Sequence, residues 1–150
     1  MQHADEIAQC MRDMATAKFS VVLSARRGCV VIVEDDPECR SVLRMVVQRA
    51  SPDAEIMEAG SVTDALRKIE GAEKIRYVIS DIGLPDGTGN DVLEYIRRRD
   101  SHIPVIVFTG QDGYQRPWDD PDCLTISKRD PGRLFAILET PEESRRAMVG

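Results

Sequence analysis

The sequence predicts an α/β protein, an open and doubly wound sheet of parallel strands with helices on both faces. Three observations lead there. Short runs such as Val30-Val31-Ile32-Val33 are apolar on both sides, as a strand covered from two directions requires. Segments with apolar residues at helical period stand between these runs. The alternation continues from residue 29 to 139, and parallel neighbours need crossover helices to join them.

Each element has its own signal. A helix is expected over 5–24, where Asp5 and Glu6 suit a first turn and Ile7, Cys10, Met11 and Met14 form one stripe. That stripe docks on its own domain, pairs with a second copy as a homodimer, or binds a partner; the first two are favoured. Phe19 and Val21-Val22-Leu23 follow, and Ala25–Gly28 reads as a hinge. After the Val30–Val33 strand, Asp36-Pro37 is a helix cap with proline at the first helical position. Cys39, Val42, Leu43, Val46, Val47 and Ala50 continue that helix. Ala54–Ala59 is a short strand. Ser61-x-x-Asp64 opens a helix with Val62, Ala65, Leu66 and Ile69 inward.

Tyr77–Ser80 is a buried strand that runs into Asp81. Gly89–Arg99 is a helix with Val92, Leu93 and Ile96 inward. Ile103–Gly110 holds the next strand and Cys123–Ser127 a weaker one. Asp130-Pro131 repeats the cap before a last helix with Leu134, Phe135 and Leu138. Between 110 and 123 there are two glycines, two prolines and no apolar period, so that crossover reads as a long loop. The chain divides into an extension (1–27), the main domain (28–140) and a tail (141–150).

Composition narrows the function. A chain of 150 residues is one domain by size, and a formal charge of -6 argues against general nucleic-acid binding. The one dense basic run, Arg97-Arg98-Arg99, suits a helix C-terminus. Four cysteines without a C-x-x-C pair and two histidines argue against zinc, and reduced thiols fit a cytoplasmic protein. The acidic start does not suit a signal peptide, and no apolar run approaches membrane-spanning length.

Functional side chains converge on one edge. In an open parallel sheet, ligands bind beyond the carboxyl ends of the strands. Glu34 and Asp35 end one strand, Asp81 a second and Thr109 a third, and Lys128 follows a fourth. Three neighbouring carboxylates repel one another, and a hard divalent cation relieves the repulsion. Mg2+ suits this set: Asp35 and Asp81 as direct ligands, Glu34 directly or through water, and the Gly83 carbonyl as a further oxygen. Asp81 then attacks a phosphoryl group as a carboxylate nucleophile. Lys128 stabilises the transferring oxygens, and Thr109 offers a hydroxyl to the product. The glycines after Asp81 leave its front open. Asp36 is left out as a helix cap. An aspartyl nucleophile of the haloacid-dehalogenase type needs D-x-D, and Gly83 occupies the second position.

The pieces "VEDDP" (33–37), "SDIGLPDGTG" (80–89), "VFTG" (107–110) and "SK" (127–128) together resemble a response-regulator receiver domain of the CheY-like kind. The resemblance implies a five-stranded flavodoxin-like fold, phosphorylation of Asp81, Mg2+ held by Glu34, Asp35, Asp81 and the Gly83 carbonyl, a switch hydroxyl at Thr109 and a phosphate-binding Lys128. Gly110 keeps the approach to Asp81 clear. Three departures stand out. Arg129 replaces the usual proline after the lysine, so the turn differs and Lys128 is expected to sit less firmly. Thr125 stands where an aromatic switch residue is common. The helix between the strand ending at Thr109 and that beginning at Cys123 is degraded into the 110–123 loop, where Tyr114 and Trp118 read as loop anchors.

The implied role is a stand-alone receiver in two-component signalling. It takes a phosphoryl group from a histidine kinase or histidine phosphotransfer protein and acts on a downstream protein by contact. It is a phosphoacceptor that promotes its own transfer and hydrolysis rather than an enzyme. The alternative is a pseudo-receiver, a binding module that is never phosphorylated.

Overall fold

The computed structural model describes residues 2–100, 102–111, 113–115 and 119–139, so Trp118 and the expected tail at 141–150 lie outside the described residues. The elements are α1 (Gln2–Ala25), β1 (Cys29–Val33), α2 (Pro37–Ala50), β2 (Ile56–Ala59), α3 (Val62–Gly71) and β3 (Ile75–Ser80). They continue with β4 (Gly83–Leu84), β5 (Gly87–Thr88), α4 (Gly89–Arg99), β6 (Val105–Thr109), β7 (Cys123–Ser127) and α5 (Pro131–Leu138). Five strands form one parallel sheet in the order β2-β1-β3-β6-β7, the flavodoxin-like order with its switch point between β1 and β3. β4 and β5 make a small antiparallel hairpin. Among the described residues no helix is long and apolar enough to cross a membrane.

Side chains of a strand alternate between faces, and the two-sided apolar runs thereby fill two cores. Val31, Val33, Val78, Val105 and Val107 pack under α3 and α4. Val30, Ile32, Tyr77, Ile79 and Ile106 pack under α2 and α5. Phe19 and Leu23 of α1 belong to this second core. α1 is fastened there by Ser20 Oγ, which donates to the Ile137 carbonyl at 2.6 Å, and by Arg133 Nη2, which donates to Thr16 Oγ1 at 3.3 Å. The predicted stripe of Ile7, Met11 and Met14 is not what docks; it stays exposed.

The expected hinge at 25–28 is a fixed elbow. Gly28 has φ +123°, and a Cβ there would lie 2.6 Å from the Lys74 carbonyl oxygen, so only glycine fits. Arg26 braces the elbow by donating to the carbonyls of Ile75 and Arg76, both at 3.0 Å.

The caps fall where the sequence puts them. Asp36 accepts from the Glu38 amide at 3.0 Å, Ser61 from Asp64 at 3.1 Å and Asp130 from Arg133 at 3.3 Å. The 110–122 crossover holds no helix among its described residues. It runs along α4 instead. The Tyr114 hydroxyl donates to Asn90 Oδ1 at 2.5 Å, and Arg97 Nε donates to Asp120 Oδ2 at 2.6 Å. Asn90 and Arg97 are seven residues apart, two turns along one side of the helix. The arginine run therefore joins elements rather than merely complementing its own helix end. Arg97 also binds the carbonyls of Ile103 and Asp122, Arg98 pairs with Glu94, and Arg99 reaches the carbonyls of Ile69 and Ala72 past the end of α3.

Candidate functional site

Glu34 and Asp35 leave the end of β1, and Asp81 leaves the end of the adjacent β3. The parallel pairing of β1 with β3 sets these ends level: Val33 lies opposite Ser80, and the Asp81 amide donates to the Val33 carbonyl at 2.9 Å. One carboxylate oxygen from each of Glu34, Asp35 and Asp81 lies within 4.8 Å of the others. Glu34 is buried, Asp81 half-buried and Asp35 exposed, so the cluster opens to solvent on one side.

Lys128 closes the other side. Its Nζ donates to Asp81 Oδ2 at 2.7 Å and to Glu34 Oε2 at 2.9 Å. The sequence suggested a loosely seated lysine. The structure instead holds it on both acids, although the Lys128–Arg129 peptide is not cis. The turn is fixed by other means. The Lys128 amide donates to the Thr109 carbonyl at 2.9 Å, and Ser127 Oγ accepts from the Arg129 amide at 3.1 Å.

The charges follow from this packing. Burial pushes the Glu34 carboxyl above its ordinary range, against the pull of Lys128 and of the Asp36 amide at 3.2 Å. Burial alone would lower the Lys128 ammonium, but its bonds to Asp81 and Glu34 hold it well above the usual lysine value. It is a fixed cation between two acids. Cys39, in the first turn of α2, has its thiol pushed up to about 11 by burial and by the Glu34 charge, and stays protonated there.

The remaining predicted residues sit around this centre. Thr109 is buried at the end of β6, where its hydroxyl accepts from the Gln111 amide at 3.2 Å. Gly83 lies in the hairpin two residues beyond Asp81, and a Cβ on it would stand 3.4 Å from the Gln111 side-chain amide. A Cβ on Gly110 would touch the Lys128 stem at 3.9 Å. Thr125 pairs with Val107 in the sheet. Tyr114 anchors the loop to α4, as its sequence position suggested.

Three positioning contacts were missed from the sequence. A Cβ on Gly89 would lie 2.3 Å from the Asp81 carbonyl oxygen, so this glycine lets the start of α4 come up beneath Asp81. Asp86 turns back from the hairpin and accepts from the amides of Val62 and Thr63 at 2.7 and 2.9 Å, capping α3. Arg40 donates to the Glu34 carbonyl at 2.8 Å and steadies the acid pair. The G-x-G spacing and the lone Asp86 were visible signals, but their partners are distant in sequence.

An open sheet of this order, with three acids, a hydroxyl and a lysine at its carboxyl edge, defines an α/β module of the flavodoxin-like class with a charged site at its strand ends. The chain belongs to the response regulator receiver domain family, whose pattern matches residues 30–117. The response regulator protein PilR of Pseudomonas aeruginosa is 33% identical over 83 residues, which is 55% of this chain and 18% of that protein. The photosynthetic apparatus regulatory protein RegA of Rhodovulum sulfidophilum is 31% identical over 83 residues, 54% of this chain and 42% of its own. The chain thus covers less than half the length of either relative. A solved receiver domain from Clostridium thermocellum superposes with a TM-score of 0.59 at 18% identity, covering 82% of this chain and 98% of that one. The response regulator TrrA of Thermotoga maritima, solved in complex with Mg2+ and BeF, gives 0.59 at 21% identity, covering 74% and 99%. At these identities the structures show the fold.

Proposed function

We propose that this chain is a signalling receiver that is phosphorylated on Asp81 by a phosphohistidine donor, a histidine kinase or a histidine phosphotransfer protein, in a Mg2+-dependent reaction. The observation that carries this reading is the Lys128 ammonium bridging Glu34 and Asp81, with an Asp35 oxygen beside them.

The donor set fits Mg2+: hard oxygens at one open edge, one of them on a buried glutamate whose charge needs compensation. Glu34, Asp35 and Asp81 would hold the ion, with the Gly83 carbonyl as a further ligand; bound there, it neutralises charge on the phosphoryl oxygens. In the transfer, one Asp81 oxygen forms the new bond to phosphorus while the nitrogen–phosphorus bond of the donor breaks. The electron pair of that bond returns to the imidazole. Lys128, already beside Asp81 Oδ2, stabilises the charge on the transferring oxygens, and Thr109 donates its hydroxyl to the acyl phosphate. Hydrolysis later returns Asp81 to its carboxylate.

Output is a protein contact. Phosphorylation adds a charge of about -1.5 to -2 and three acceptor oxygens to the sheet edge. A Thr109 hydroxyl drawn towards phosphate leaves the Gln111 amide, and the 110–122 crossover begins there.

Incubation with acetyl phosphate and Mg2+ tests the reading. Stoichiometric acid-labile phosphate is expected on the chain, and none on Asp81→Asn. Absence of label with acetyl phosphate, phosphoramidate and a phosphohistidine protein alike would leave a pseudo-receiver.

A further inference from the structure

Glu34 is held at each of its polar groups. Its amide donates to the Ala59 carbonyl at 2.9 Å, and its carboxylate accepts from the Asp36 amide at 3.2 Å and from Lys128 Nζ at 2.9 Å. Its carbonyl accepts from Arg40 Nη1 at 2.8 Å. That last bond reaches further than the others. The Glu34 carbonyl and the Asp35 amide share one peptide plane, so Arg40 sets the direction in which the chain enters Asp35. Asp35 is exposed, and among the described residues no hydrogen bond or ion pair holds its carboxylate. Its aim into the acid cluster therefore rests on its backbone.

Arg40 is fixed in turn from β2. Its Nε stands 3.8 Å from Glu58 Oε1, and Glu58 Oε2 accepts from Arg44 Nη1 at 2.5 Å. Arg40 and Arg44 are four residues apart and lie on one side of α2, from which both reach the same acid. Glu58 pairs with Ile32 in the sheet, and its carbonyl accepts from Lys68 Nζ of α3. Gly60 borders the contact: a Cβ there would lie 3.4 Å from Arg40 Nη1 and 4.0 Å from the Glu34 carbonyl oxygen. The Arg40 and Glu58 side chains are only 27 and 28% exposed, so both are partly shielded from water.

We infer that Arg40, held by Glu58, is a positioning residue for the metal ligands, and that the pair governs Mg2+ affinity through the backbone of Glu34 and Asp35. This role rests on the Mg2+-dependent reading proposed above. Charge alone predicts the opposite sign. A guanidinium near a divalent cation repels it, so its removal would tighten binding. Orientation predicts weaker binding on removal. A contact that orients a ligand is worth about 10- to 100-fold in metal affinity, whereas the repulsion is offset by Glu58 and screened by solvent. Orientation therefore wins.

Calorimetric titration of the full, unphosphorylated chain with MgCl2 tests this. The natural chain is expected to bind one ion. Arg40→Met keeps the stem, loses the donor and weakens binding about tenfold or more, with the circular dichroism of a folded domain retained. Glu58→Gln weakens it in the same direction. The two together are no weaker than Arg40→Met alone, because Glu58 acts through Arg40. Acetyl phosphate labels Arg40→Met at the natural rate once Mg2+ is saturating, which damage to the phosphoacceptor would not allow. Equal or tighter Mg2+ binding by Arg40→Met, additive losses in the double variant, or slow labelling at saturating Mg2+ overturns the role of Arg40 and leaves the receiver reading standing. If Arg40→Met does not fold, unchanged Mg2+ affinity in Glu58→Gln overturns it. A natural chain that takes up no Mg2+ overturns both.

Discussion

Asp86 shows how much one exposed carboxylate organises around the site. Its two oxygens take the first two amides of α3 and the Thr63 hydroxyl, at 2.7 to 2.9 Å. These donors, the Thr63 hydroxyl and amide first, pull its carboxyl down from 3.8 to about 2. The folded value lies below the unfolded one, so the stabilisation is fully present above about pH 4 and is lost as pH falls towards about pH 2. Urea unfolding over that range is expected to show a steeper acid loss in the natural chain than in Asp86→Asn, which lacks this titration. Parallel pH profiles for the two would show that the link is not formed. At the same scale, Asp81 and Lys128 were legible because a strand end fixes a side chain's place without further knowledge. Gly89 was not: its need for a hydrogen in place of a Cβ arises from the Asp81 carbonyl, eight residues away across a hairpin.

At the scale of elements, the β6-to-β7 crossover compensates for its missing helix by clamping itself to α4. The Arg97–Asp120 pair is nearly desolvated, with side chains 11 and 4% exposed. Removing one partner of such a pair leaves the other charge uncompensated, so Asp120→Ala is expected to cost about 3 kcal/mol in chemical unfolding. Hydrogen exchange should quicken at 113–115 and 119–122 in that variant while the strands keep their protection. Unchanged stability would show that the carbonyls of Ile103 and Asp122 suffice for Arg97. The sequence revealed the absent helix through glycine, proline and aspartate content. It concealed the clamp, because a basic run at a helix end has an adequate local explanation and Asp120 lies in a stretch with no periodic pattern. β3 likewise begins two residues earlier than the pattern Tyr77–Ser80 suggested. Arg76 looks like a surface residue, yet it is buried, with Nε donating to the Leu23 carbonyl at 3.4 Å.

For the whole molecule, α1 joins two levels of organisation. Its second half adds Phe19 and Leu23 to the core shared with α2 and α5, and its first half stands clear. Deleting residues 2–14 should change the stability of the chain by less than about 1 kcal/mol. Extending the deletion through residue 27 removes Phe19 and Leu23 from the core and should cost at least about 3 kcal/mol. Equal melting temperatures for the two truncations would show that the docking of α1 is incidental. The strand order and both cores were readable from apolar runs and helical periods, because burial on two faces leaves few alternatives. The docking of α1 was not readable, since either of its two apolar sides satisfies the same periodic test.

The Tyr114–Asn90 and Arg97–Asp120 fastenings leave the crossover tethered to one flank of the sheet. On the reading proposed above, loosening at Gln111 would be transmitted first to the α4 flank, on the opposite face of the sheet from α2, α5 and α1. The side of the molecule that such a signal would alter is thus set apart from the side on which α1 is docked.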